Sequence, residues 1–157
     1  VTLLFLINYA FNFMFAEKIG GLIGKFGERR ALTFEYVGLI LVFIAYGLVE
    51  NASIAALLYV LDHMFFALAI AITTYFQKIA DPKDMASNAG VSFTINHIAA
   101  VVVPALLGLV WIWSHSLVFY IGAIFALLSL IAAQFIPKSP APNQETRISF
   151  RSKVIES

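Results

Sequence analysis

The chain reads as a succession of hydrocarbon runs separated by short polar turns, and this pattern limits its folding more than any other feature. The runs cover about residues 1–23, 31–49, 54–76, 82–113 and 117–136. A bilayer core about 30 Å thick needs about 20 apolar residues of helix to cross it, and each run meets or approaches that length. In hydrocarbon the backbone must satisfy its own N–H and C=O groups, so an open strand cannot span. None of the runs alternates with the period of two that a strand requires, so helices are expected. Composition agrees, because 61% hydrophobic and 12% charged residues leave too little polar surface to cover a water-soluble domain of 157 residues. The expectation is an all-α, polytopic transmembrane helical bundle of five spans over residues 1–136. The proline- and serine-bearing stretch 137–157 should follow it as a disordered, solvated tail.

Charge orients these spans. Every Lys and Arg lies in residues 17–30, in residues 77–84 or in the tail, and the alternate turns, Glu50-Asn51 and Ser114-His115-Ser116, have none. The positive-inside rule places the basic side in the cytoplasm. The chain should then start outside, cross five times and end with a cytoplasmic C-terminus. Val1 already lies inside an apolar run with no signal-peptide n-region, so a chain that begins partway through a larger protein is expected.

Several chemistries are excluded. A net charge of +1 gives no field for nucleic acid, which is not expected as a partner. The absence of cysteine removes disulfides, thiolate metal sites and cysteine nucleophiles. The glycines of residues 19–32 have neither the strand context nor the GK[ST] ending of a nucleotide cradle, and His63, His97 and His115 lack metal-ligand spacing. No catalytic residue, metal or cofactor is expected, Ser92 with His97 being only a weak nucleophile–base pair.

Ionisable groups at membrane depth are expensive and so become candidates for function. The third run carries Asp62 and His63, and at 100° per residue Ala55, Tyr59, Asp62, Phe66, Ala69 and Thr73 share a face. In the fourth run Asn88, Ser92 and Asn96 recur every four residues beside a face with Thr94, His97 and Pro104, while Val91, Ile95, Ile98, Val102 and Leu109 form an apolar stripe. Helical rise places Asp62 roughly 12 Å and His97 roughly 22 Å into their runs from opposite sides, so the two can meet in depth. Asp62 with His63 or His97 is the expected titratable pair, although Asp62 could equally hold helices together by a hydrogen bond. Asn8 and Asn12 lie one turn apart in the first run, where interhelical hydrogen bonding competes with a lining role. Glu35, five residues after Arg30, is expected near the interface, in a local ion pair or snorkelling.

The stretch "IGGLIGKFGERRAL", residues 19–32, interrupts the first two runs with glycine and charge. Its Gly20, Lys25, Gly27 and Arg29, with Arg30 beside them, resemble the loop signature G-x-x-x-D-[RK]-x-G-x-[RK] of major facilitator superfamily transporters. Gly24 stands where the family has Asp. "YFQKIADPKDMASNAGVSFTINHIAAVVVPALLGL" is also similar to bacterial members. The resemblance covers residues 1–137 and implies helices eight to twelve of a twelve-helix carrier, in a bacterial inner membrane. It further implies alternating-access transport of a small solute, ion-coupled and proton-linked, at a midplane site that faces a missing N-terminal half. Tyr59, Asp62 and His63, then Asn96, His97, Asn8 and Asn12, would line that path. Read physically, the stretch is a loop whose glycines let two backbones approach and whose bases anchor at headgroups. "ADPKD" should cap the fourth helix, with Asp81 as N-cap, Pro82 first in the helix and Asp84 in its first turn, and Arg29 or Arg30 docked on them. A non-transporting membrane scaffold or partner subunit is the alternative, ahead of a membrane-embedded enzyme.

Overall fold

A computed structural model of the chain describes residues 2–81, 83, 85–138, 140–141 and 146–147, without the side chains of Leu3, Asn12 and Ala16. The regular elements among these residues are all helical. They are α1 (Thr2–Phe26), α2 (Glu28–Leu48), α3 (Ala52–Phe66), a 3₁₀ turn (Ala67–Ala69), α4 (Ile70–Ile79), α5 (Met85–Trp113) and α6 (His115–Ala133). Four segments are long and apolar enough to cross a membrane: α2, the run Ala52–Ile79 that joins α3 to α4, α5 and α6. For the first expected span, α1 has the length, and among the described residues its apolar part is the shorter stretch Leu4–Phe15.

The breaks between helices have local causes. Gly27 sits at φ 84°, a left-handed conformation that is costly for residues with a Cβ, and here the chain leaves α1 and enters α2. At the other end, Asn51 caps α3 by accepting hydrogen bonds from the backbone N–H groups of Ser53 (2.8 Å) and Ile54 (3.4 Å). Ser114 caps α6 through Leu117 N–H at 3.3 Å. Asn51→Ala should cost about 1 kcal/mol, the usual value of such a cap, in unfolding followed by circular dichroism in detergent micelles. No loss would mean that the first turn of α3 is held by packing alone.

Residues 17–30 are not the expected loop. Helix α1 continues through Glu17, Lys18, Gly20, Gly21, Gly24 and Lys25, and only Gly27 interrupts it. A glycine inside a helix costs only about 1 kcal/mol, and charges at a helix end outside hydrocarbon cost nothing in desolvation. Gly20, Gly21 and Gly24 also face open space and bring no backbones together. The close approaches occur in α2, where the Phe65 ring lies over Gly38 and the Tyr120 ring over Gly47.

Helix α2 is central. It packs most extensively against α6, then against α3 and α4. A core at its basic end unites Ile19 and Ile23 of α1, Leu32 of α2, Ala67 of the 3₁₀ turn, Ala71 of α4, and Ala133 and Ile136 of the last helix and its end. Farther along, Tyr46 of α2 stacks on Phe119 of α6 with ring centroids 4.8 Å apart.

Helix α5 is placed differently. Every residue from 86 to 106 is exposed, and contact with α6 is made near the connecting turn, where Leu107 and Val110 are half-buried and Trp111 meets Phe119. The polar arc and the apolar stripe of α5 are therefore equally uncovered. Of the expected tail, Arg147 donates its backbone N–H to Phe135 C=O at 2.8 Å, so this part folds back on the end of α6 instead of standing free in solvent. Residues 142–145 and 148–157 lie outside the described residues.

Candidate functional site

Two polar groups involve the Ala52–Ile79 segment, one near its middle and one at its basic end. The first is built on α3. Tyr59 and His63 are one turn apart, so their rings meet, with centroids 4.3 Å apart. His63 Nδ1 is 3.0 Å from the Tyr59 carbonyl and 3.6 Å from Asp62 Oδ2. A protonated Nδ1 can donate to the carbonyl, with Asp62 as its nearby counter-charge. Asp62 and His63 are both half-buried. Phe5 of α1 meets the Tyr59 ring edge-on at 6.0 Å, which brings the first helix to this group. From α2, Tyr46 donates its hydroxyl to Ala55 C=O at 3.3 Å and lies within electrostatic reach of Asp62 and Tyr59. The arrangement sets a carboxylate beside an imidazole, without a hydrogen bond between them, and places two phenols close by.

Of the pairings expected for Asp62, the one with His63 is made and the one with His97 is not. His97 is exposed on α5, its Nδ1 lies 2.9 Å from its own Phe93 carbonyl, and its ring stacks on Phe93. The depth estimate fails as a guide to contact because α5 leans on α6 and not on α3. Asn96 is likewise exposed. Asn8 is buried in α1, whereas the Asn12 side chain lies outside the described residues.

The second group surrounds Gly27. Lys78, in the last turn of α4, reaches across to Glu28, in the first turn of α2, with Nζ 2.5 Å from Oε1. Glu28 is only 2% exposed, and its carboxylate also meets the positive end of the α2 dipole. This pair ties α2 to α4, whereas Arg29 or Arg30 was expected to dock on Asp81 and Asp84 at the start of the fourth span. Among the described residues, neither arginine forms an ion pair with Asp81. Instead Asp81 Oδ1 accepts from Lys83 N–H at 2.9 Å, closing a local turn, and α5 starts later, at Met85. Pro82 and Asp84 lie outside the described residues. Arg29, Arg30 and Lys138 line a cavity of about 200 Å³ beside Gly27, and Lys25, Lys78 and Lys138 border a wider one of about 550 Å³.

Sequence reasoning missed three residues. Tyr46 is one of 23 aromatic residues, and nothing in its spacing singles it out. Glu28 and Lys78 are fifty positions apart, a distance at which no periodicity links two residues. Glu35 was expected in a local ion pair or snorkelling. It is in fact 2% exposed on the inner face of α2, one turn beyond Leu32, with no cation against it among the described residues.

Comparisons with protein-family models, with curated proteins and with solved structures find no match to this chain. The class therefore rests on the fold, and four helices long and apolar enough to span a membrane mark an integral membrane protein.

Proposed function

We propose that the chain is part of a membrane carrier that moves a small solute by alternating access, driven by a coupled ion such as the proton. The observation that carries this reading is α5. A membrane-length helix with Asn88, Ser92, Asn96 and His97 exposed along it is a poor lipid neighbour, since polar groups in hydrocarbon cost several kcal/mol each when unsatisfied. Such a helix calls for water in a cavity on one side, or for further helices. Both are supplied when a second set of spans, the expected N-terminal half, closes against α5 and α3 around a midplane site. The loop resemblance and the basic distribution support the same reading, with five crossings, a cytoplasmic C-terminus and the bacterial inner membrane. Asp62, His63 and Tyr59 would then carry the proton or meet the solute.

The native absence of cysteine makes the test direct. In membranes of cells expressing the gene, single cysteines at Asn88, Ser92 and Asn96 should react with a water-soluble maleimide, and cysteines at Val91, Ile98 and Val102 should not. Equal protection of both sets would remove the cavity. Among solutes accumulated by vesicles and lost with a protonophore, Asp62→Asn should abolish the pH dependence of accumulation. An unchanged pH profile would take Asp62 out of the path.

A further inference from the structure

Glu35 has no part in the site above. Helical geometry puts Glu28, Leu32, Glu35, Leu39 and Val42 on one face of α2, and all five are buried. That face meets the Ala52–Ile79 segment on one side and α6 on the other. Glu28 has Lys78, whereas Oε2 of Glu35 makes no hydrogen bond among the described residues.

What lies across from Glu35 follows from the register. Leu32 packs with Ala67 and Ala71, Gly38 meets Phe65, and the Tyr46 hydroxyl reaches Ala55 C=O. The two segments are thus antiparallel, and Glu35, between Leu32 and Gly38, is level with Ala67–Ala69. At this point the partner segment abandons the α-helix for a single 3₁₀ turn. No glycine or proline lies in residues 65–70, "FFALAI", to cause the change. A 3₁₀ stretch in the middle of a helix marks a hinge or a strained sequence.

The charges around Glu35 can be named element by element. Its own helix offers Glu28, Arg29, Arg30, Tyr36 and Tyr46. Lys78, tied to Glu28, and Tyr75 come from α4, and Asp62 and His63 lie in the last turns of α3, just before the 3₁₀ turn. On α6 the titratable groups are Tyr120 and His115, near its first turns, and the 3₁₀ turn has none. Glu17, Lys18 and Lys25 of α1 are exposed. A charged carboxylate with an unpartnered oxygen is far costlier in such a place than a neutral carboxyl.

We propose that Glu35 is a proton-binding site coupled to a hinge at Ala67–Ala69. The carboxyl holds its proton while the seam is closed. When the 3₁₀ turn moves away and water enters, the O–H bond breaks, its electron pair stays on the carboxylate and the proton passes to water. This inference does not depend on transport, since the site would bind a proton in a scaffold as well.

Infrared spectroscopy of the full chain in lipid vesicles at neutral pH tests it. The carbonyl stretch of a protonated, dry carboxyl should be present and should be lost in Glu35→Gln. Carboxyl-labelled glutamate shows by its isotope shift in the unmutated chain that the band belongs to a glutamate, and its persistence in Glu28→Gln leaves Glu35 as the other buried one among the described residues. A second measurement uses Ala67→Cys, whose alkylation by a water-soluble maleimide should rise more steeply with pH than in Ala67→Cys/Glu35→Gln. Fully ionised glutamates at neutral pH, or the same pH slope in both backgrounds, would overturn the proposal.

Discussion

Lys78→Ala lowers the unfolding free energy by about 3 kcal/mol, and Glu28→Gln by only about 1 kcal/mol. The difference follows from where the two partners sit. The Glu28 side chain is 2% exposed and that of Lys78 is 47% exposed, so removing the lysine leaves a buried carboxylate without its ion-pair partner. Removing the acid instead leaves an ammonium that simply turns to solvent. Breaking a buried pair by deleting one partner costs about 3–5 kcal/mol, and the dipole of α2 returns up to about 1 kcal/mol to the stranded carboxylate, which sets the lower end of the range. The double variant should resemble Glu28→Gln alone, because no charge remains to strand. Denaturant unfolding in micelles measures all three. If Glu28→Gln proved the more damaging change, the pair would owe its worth to something other than burial of the acid.

Gly38→Leu is expected to cost about 3 kcal/mol, at the upper end of overpacking effects. A Cβ at this position would fall on the Phe65 ring, and a leucine brings three carbons more. Glycine is otherwise a poor choice in the middle of a helix, where almost any residue would gain up to about 1 kcal/mol. The position keeps it because α2 and α3 approach so closely there. In a Phe65→Ala background the same leucine should fill the vacated space and cost almost nothing. The coupling between the two changes, read from the four unfolding free energies, isolates the contact. Additive effects would mean that the ring moves aside freely and that Gly38 does not set the helix spacing.

Much of the helical layout can be read from the residues, for definite reasons. Runs of hydrocarbon have one stable backbone in a membrane, and Asn51 and Ser114 are recognisable caps. Gly27 carries its own conformational warrant at the break. The extent of α1 could not be read in the same way. Its charges and glycines look like a loop, but beyond the hydrocarbon a helix bears them cheaply. Sidedness was hidden too. In α2 nearly every position is apolar, so nothing in the pattern separates the face toward α6 from the face toward lipid, and the burial of Glu35 could not be read. The Tyr59, Asp62 and His63 group could be read because its members are neighbours on one helix. Tyr46 and the Glu28–Lys78 pair depend on how separate helices dock, which a periodicity cannot express. The 3₁₀ turn at Ala67–Ala69 has no signature in its residues at all.

The attachment of α5 has a mechanical consequence. Among the described residues α5 is held near one end, which makes this helix of 29 residues a lever about 43 Å long, with its fulcrum at the Ser114 turn. A swing of about 10° around that fulcrum carries the Met85 end through about 7 Å and barely disturbs Trp111. The polar residues of α5 lie along the travelling arm, and Pro104, which lacks a backbone N–H to stiffen the helix, stands close to the fulcrum. Small rearrangements where α5 meets α6 are thus magnified at the basic end of the molecule.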